Sequence, residues 1–200
     1  MEPVVPDPPI PGYSFGTGAV LKSPVSMDEL RDLELAVGWS VEDVLWLRTA
    51  GEILIPQAEA MVDSWRAMIA SQPRLVLSFL DAQGKLDENY KAAVKRRFVR
   101  WVSDVCLQIH DQDWLNYQEE IGLRHTPAKK NRTDGGHTSS VVPQRYLIGF
   151  SAVVINSVRA FLAVSERPAQ EVDRMQEAWT RAVLLEIALW SRAYAVVGTW

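Results

Sequence analysis

The chain has 200 residues, of which 48% are hydrophobic and 23% charged, and its formal net charge at pH 7 is −4. This length predicts one domain with a sizeable apolar core, and the acidic balance provides no basic field for binding nucleic acid. The only cysteine, Cys106, excludes an intrachain disulfide, so we expect a protein of the reducing cytoplasm.

Residues 1–25 are interpreted as an arm without regular helix. Prolines recur from Pro3 to Pro11, and a proline removes the amide hydrogen that a helix needs. Tyr13 and Phe15 favour an arm that lies over the body, because aromatic residues are depleted in disordered tails. The arm has neither a basic start nor an apolar run, so we predict no signal peptide. We also expect every apolar stretch to be shorter than the roughly 20 residues of a membrane span.

The rest of the chain is rich in helix signals, namely capping residues, prolines at first turns and apolar residues spaced by three and four. The predicted helical segments are 26–38, 40–50, 51–71, 73–80, 87–109, 111–125, 143–164 and 168–197. Pro56 would lie in the first turns of its segment, where a proline is tolerated. Nothing resembles an alternating strand pair with a hairpin turn. We therefore predict an all-α fold of about eight helices.

The sequence contains few candidate catalytic or metal-binding residues. A phosphate-binding glycine loop, HExxH and GxSxG are all missing from the sequence. Of the three histidines, His110 and His137 are interpreted as capping or solvent-facing groups. His125 ends a helix and shares an apolar stripe with Ile121, and such a histidine can bind a haem iron. Most single histidines on helices bind nothing, so the residue pattern alone leaves both interpretations open.

A longer set of ordered sequence blocks resembles the protoglobins, the single-domain relatives of globin-coupled sensors. The blocks are IPGYSFG, AGEIL, DSW, KRRFVRW, WLNYQEEIGLRH, KKNRTD, RYLIGF and ALWS. The resemblance implies a globin fold, a three-over-three helical sandwich with an extra N-terminal helix and an N-terminal arm. It also implies two regions, an arm over residues 1–25 that packs over the haem region and a globin domain over residues 26–200.

The resemblance further implies a haem b cofactor and its contacts. His125, at the end of GLRH, resembles the proximal iron ligand, and Ile121 lies one turn before it. Phe98 resembles the aromatic residue on the distal side of the haem, and Trp65 resembles the tryptophan that limits access through a ligand tunnel. Two further matching positions, which line the haem cavity and tunnel, are Phe150 and Val154.

One departure from the family pattern concerns Arg66. Relatives usually have a tyrosine here, which is the expected hydrogen-bond donor to bound dioxygen. Arginine can donate too, but burying its charge is unfavourable without an anion. Arg66 could therefore extend outwards and leave an apolar distal pocket, or it could reach a haem propionate or a bound ligand. In a second departure, Thr126 stands where relatives commonly have another histidine.

The predicted helix 87–109 carries a basic face. Its members are Lys95, Arg96, Arg97 and Arg100. Such a face is most often simply solvated, but a guanidinium group also suits a carboxylate. We therefore retain Arg97 as a candidate partner of a haem propionate, with Lys129 and Lys130 as weaker candidates.

The expected function is binding of the diatomic gases O2, CO and NO at an open iron position opposite His125. One alternative is a gas-sensing module that acts through a separate partner. Another is a haem enzyme acting on peroxide, peroxynitrite or nitric oxide, or on carbenes in engineered settings, although no general acid–base pair is evident. A haem-free helical scaffold is a further alternative.

Self-association is expected as well. The last segments carry more apolar residues than one inner stripe needs, including Trp179, Leu184 and Trp190. Family members dimerise through their last two long helices, which implies a homodimer with a two-fold axis. We expect neither nucleic acid nor a membrane as a partner.

Overall fold

The computed structural model describes residues 9–195 and residue 200, and within them it contains eight α-helical segments. The helices are α1 Met27–Ala36, α2 Val41–Leu54, α3 Ala58–Ser71, α4 Pro73–Val76, α5 Glu88–Leu107, α6 Gln112–Arg124, α7 Gln144–Leu162 and α8 Ala169–Ser191. In this part of the chain, β-structure is limited to the isolated bridges Leu80–Leu86 and Asp81–Thr138. The predicted all-α class is confirmed.

The predicted helix starts agree with the observed caps. Ser26 Oγ accepts a hydrogen bond from the amide of Glu29, whose carboxylate accepts one from the amide of Ser26, as a capping box requires. Asp87 caps α5 by accepting from the amide of Tyr90 at 2.9 Å. Asp111 caps α6 in the same way. These caps satisfy amide groups that have no partner within the helix.

The predicted boundary at Gly51 is wrong. Helix α2 continues through Gly51 to Leu54, and the break lies at the 3-10 turn Ile55–Gln57, which contains Pro56. A Cβ atom on Gly51 would lie 3.0 Å from the Cβ of Cys106, so the glycine permits close packing of α2 on α5. Proline lacks the amide hydrogen and therefore ends the helix.

The core is organised around α8, which packs against α7, α2 and α6, while α5 packs against α2 and α3. Its largest buried side chains are tryptophans, among them Trp65, Trp101 and Trp179. Each large apolar side chain contributes on the order of 2 kcal/mol when it is buried. The same helices leave a cavity between them.

Helix α7 also has an exposed apolar surface. Residues Gln144–Ser165 are long and apolar enough to cross a membrane by length and composition alone, so the expectation that every apolar stretch is too short is wrong here. A core helix of a soluble protein passes the same test, which makes the indication weak. One face buries Val154 and Val158, whereas Ile148 remains 49% exposed.

Candidate functional site

A cavity of about 250 Å³ lies between α5, α6, α7 and α8, and its walls are mainly apolar. Seven of the eight residues predicted to bind a cofactor line it: Arg66, Arg97, Phe98, Ile121, His125, Phe150 and Val154. A mainly apolar cavity with a few polar groups is typical of a cofactor site. The structure therefore brings together residues that are far apart in the chain.

His125 lies at the C-terminal end of α6, where its imidazole is held in one orientation. Its Nδ1 lies 2.8 Å from the carbonyl oxygen of Ile121. Because a carbonyl oxygen can only accept, Nδ1 carries the hydrogen and Nε2 keeps its lone pair. Burial, aided by the charges of Lys130 and Arg124, lowers the pKa of His125 to about 4. The ring is thus neutral at pH 7, the form in which imidazole binds a metal.

The His125 ring also stacks on an indole. The rings of His125 and Trp190 are 5.8 Å apart between centroids, with an interplanar angle of 21°. Trp190 Nε1 in turn donates a hydrogen bond of 2.8 Å to Gln118 Oε1. Sequence reasoning missed this support. The sequence does contain one indication of this contact. Gln118 lies on the same stripe of α6 as His125, and a buried polar side chain there needs a hydrogen-bond partner.

Part of the cavity lining is aromatic. The Phe98 ring contacts Trp65, with centroids 5.0 Å apart, and Trp101, with centroids 5.5 Å apart. Trp65 is completely buried, donates a hydrogen bond of 2.7 Å to Ser157 Oγ and does not line the cavity. Its predicted role in limiting ligand access stays a prediction. Any such role would act through its contact with Phe98.

Arg66 extends from α3, and its contact with a haem propionate or a bound ligand stays a prediction. Its side chain is 28% exposed and yet lines the cavity. The nearest carboxylate oxygen in the described chain is Asp63 Oδ1, 3.6 Å from Nη1, which is too far for a good hydrogen bond. The lining of the cavity beside α3 is therefore not purely apolar.

Most of the predicted basic face of α5 is already engaged in ion pairs. Arg97 makes two parallel hydrogen bonds to Asp134, of 2.7 and 2.6 Å, and a third of 2.8 Å to the carbonyl of Pro11. Lys95 pairs with Asp63 at 2.8 Å. Arg97 thus connects the N-terminal arm with the loop that follows α6, while remaining part of the cavity lining.

The described part of the arm lies against α5 and α6. The hydroxyl of Tyr13 donates to Asp104 at 2.9 Å, and its ring packs edge-on against Tyr117. Phe15 packs against Tyr117 as well. Burial and the carboxylate of Asp104 raise the pKa of Tyr13, so its hydroxyl stays protonated and remains a donor. Residues 1–8 of the predicted arm are outside the described residues.

Lys130 is more deeply buried than expected for a basic loop. Its ammonium group donates to the carbonyl of Ser78 at 2.9 Å and to Thr138 Oγ1 at 2.6 Å, and it lies 4.7 Å from the ring centroid of Tyr90. Burial lowers its pKa to about 8. These contacts satisfy the ammonium group locally and order the loop beside the cavity.

Among residues 9–195 and 200, no group of three or more His, Cys, Asp or Glu side chains is arranged to hold a metal ion. A site built on the single imidazole of His125 instead suits a metal that arrives within a larger cofactor. The cavity lining fits such a cofactor, since it joins an available Nε2, apolar walls and cationic side chains.

Comparison with known proteins identifies the family of this chain. No curated protein matches the chain. Residues 26–199, by contrast, match the family model described as Protoglobin, which confirms both the predicted family and the predicted globin fold. The chain therefore belongs to the protoglobin family of globin-type, haem-containing gas-binding proteins.

Proposed function

We propose that this protein binds one haem b through Nε2 of His125 and takes up O2, CO or NO on the opposite face. The observation that carries the proposal is the state of His125. Its Nδ1 is committed to the carbonyl of Ile121, and its low pKa keeps the ring neutral, so Nε2 is free for iron. When bound, the haem supplies an iron with an open position for a diatomic ligand.

The apolar walls support this function by excluding water. Phe98 and Trp101 contribute from α5, while Phe150 and Val154 contribute from α7. An apolar environment slows oxidation of a bound metal, because charged products are poorly solvated there. These residues would hold the ring of the cofactor mainly by van der Waals contact.

Arg97 is proposed as a partner of a haem propionate. Its guanidinium group has five N–H donors, of which three are used by Asp134 and by the carbonyl of Pro11. The remaining donors can bind a carboxylate without breaking the existing contacts. Arg97 would then couple cofactor binding to the position of the arm.

The experiment that tests the proposal is reconstitution of the purified protein with haemin, followed by absorption spectroscopy. We expect the wild type to show a Soret band and to form a five-coordinate ferrous state. The His125→Ala variant should lose that five-coordinate ferrous state. The matched control is His137→Ala, since His137 is exposed and lies in the loop before α7. Added imidazole should restore the spectrum of His125→Ala. An unchanged spectrum in this variant would contradict the assignment of His125.

We also propose that two copies of the chain associate through α7 and α8. These helices pack together, yet Ile148 of α7 is 49% exposed and Leu184 of α8 is 43% exposed. An exposed apolar surface on two adjacent long helices can be buried against the same surface of a second copy related by a two-fold axis. Light scattering should show a dimer that Leu184→Glu dissociates, whereas Leu45→Glu, at an exposed position of α2, should leave the dimer intact.

A further inference from the structure

We infer that Arg66 makes the ligand position of the cavity selective for small anions, such as azide, fluoride and nitrite, over neutral diatomic molecules. The inference rests on the proposed haem function, because the anion would occupy the open position opposite His125. It goes beyond gas binding, since it assigns a class of charged ligand to the same site.

The first observation is the location of the side chain. Arg66 lines the cavity together with Ile69 and Phe98, while 28% of its side chain remains accessible. A long arginine side chain can hold its stem against apolar groups and still turn its guanidinium group. Arg66 can thus present its charge to a ligand in the cavity with only a side-chain rotation.

The second observation concerns Asp63, whose charge is already balanced. Lys95 Nζ lies 2.8 Å from Asp63 Oδ1 and 2.9 Å from Oδ2, whereas Arg66 Nη1 is 3.6 Å from Oδ1. One carboxylate therefore faces two cations, and the closer one is Lys95. Asp63 is also 53% exposed, so solvent weakens its attraction for Arg66. No other carboxylate in the described chain lies within 4.0 Å of Arg66.

The third observation is the charge state of the other polar groups that line the cavity. Arg97 is compensated by Asp134, Arg124 is compensated by Glu120, and Asp104 is bound by Arg100 and Tyr13. The ammonium group of Lys130, which also lines the cavity, is engaged by its hydrogen bonds to the carbonyl of Ser78 and to Thr138 Oγ1. Arg66 is therefore left with a positive charge that its neighbours balance only in part. Apolar walls strengthen the attraction between that charge and an anion.

A neutral ligand and an anion would gain different amounts from Arg66. Both can accept an N–H hydrogen bond, but only the anion adds a charge–charge attraction. Azide, fluoride and nitrite are small enough to bind an iron position, and each carries one negative charge. The preference for anions should consequently follow the charge of residue 66 rather than its size.

The test uses the haem-reconstituted, full-length protein and measures azide dissociation constants in the ferric state at constant ionic strength and pH 7. The variants are Arg66→Gln, Arg66→Lys and Asp63→Asn. We expect Arg66→Gln to weaken azide binding about tenfold, since one charge-assisted contact is lost. Arg66→Lys should retain part of the affinity, and Asp63→Asn should increase it by about twofold. Carbon monoxide affinity in the ferrous state should change far less in all three.

Each outcome distinguishes the inference from the haem proposal. A normal Soret band in Arg66→Gln with azide affinity within about twofold of the wild type would overturn the role of Arg66 alone. Equal losses of azide and carbon monoxide affinity would also overturn it, because they indicate damage to the pocket. A wild-type protein that forms no Soret band would overturn the proposed function and this inference together.

Discussion

Trp101 Nε1 donates a hydrogen bond of 2.5 Å to Glu186 Oε2, and both side chains are buried. Glu186 is only 2% exposed, and burial raises its pKa to about 8. Its carboxyl group is thus largely protonated at neutral pH, beside a tryptophan that lines the cavity. Because Glu186 is titratable and buried, the free energy of unfolding should depend on pH.

We predict that Glu186→Gln gains stability relative to the wild type as pH rises from 5 to 8. Between the unfolded pKa of 4.5 and the folded pKa of about 8, the folded state holds a proton that the unfolded state has lost. The wild type therefore loses up to roughly 1.4 kcal/mol per pH unit in this window. Glutamine has no such proton equilibrium. Urea unfolding at several pH values measures the difference.

The control for this prediction is Glu59→Gln, because Glu59 is exposed on α3. This variant should keep the wild-type pH dependence of the free energy of unfolding. If Glu186→Gln shows the same slope as the wild type and Glu59→Gln, then Glu186 does not carry a raised pKa in the folded protein.

The ion pair between Arg97 and Asp134 gives a second prediction. Their side chains are 13% and 7% exposed, and the pair is bidentate. Asp134→Asn should lower the free energy of unfolding by about 2 kcal/mol, because it leaves a largely buried guanidinium group without its carboxylate. Chymotrypsin should also cleave the N-terminal arm faster at Tyr13 and Phe15, since Arg97 holds the carbonyl of the neighbouring Pro11. Urea melts and timed proteolysis measure the two effects.

A matched control for that pair is Asp173→Asn. Asp173 pairs with Arg159 at 2.7 Å, but both side chains are more than half exposed. Its loss should cost little, because solvent screens an exposed pair. Equal effects of the two substitutions on stability and on arm cleavage would show that Asp134 has no special role in holding the arm.

The third prediction is that alanine substitutions at Gly122 and Gly149 change the stability of the protein in opposite directions. A Cβ on Gly122 would lie 3.1 Å from both Cα and O of Trp190, whereas a Cβ on Gly149 would meet nothing within 4 Å. Gly122→Ala should therefore destabilise the protein by about 1–3 kcal/mol, because the backbone of α8 must move. Gly149→Ala should stabilise it by about 0.5–1 kcal/mol through helix propensity.

Thermal unfolding and spectroscopy test this pair of glycine substitutions together. Because Gly122 precedes His125 by one turn, Gly122→Ala should also shift the Soret band of the haem-loaded protein. Gly149→Ala should leave that band unchanged. A Gly122→Ala protein as stable as the wild type would mean that α6 does not approach the backbone of Trp190 as closely as 3.1 Å.

Local sequence patterns determined much of the fold. Ser26, Asp87 and Asp111 begin helices because each side chain can accept from an amide two or three residues ahead, which depends on no distant partner. The stripe that ends at His125 was visible for the same reason, since helical periodicity is a local property. The tertiary fold and the position of most cavity residues followed once the sequence blocks indicated the family.

Tertiary structure decided what local patterns leave open. The sequence pattern predicts a helix boundary at Gly51, but Gly51 lies within α2, because its role depends on Cys106 across the helix interface. The pairing of Arg97 with Asp134, like that of Trp101 with Glu186, joins residues far apart in the chain. Such contacts depend on how whole helices pack, so no neighbouring residue signals them. The sequence by itself therefore determined the helices and the histidine, while packing decided the orientation, charge and neighbours of the groups around the cavity.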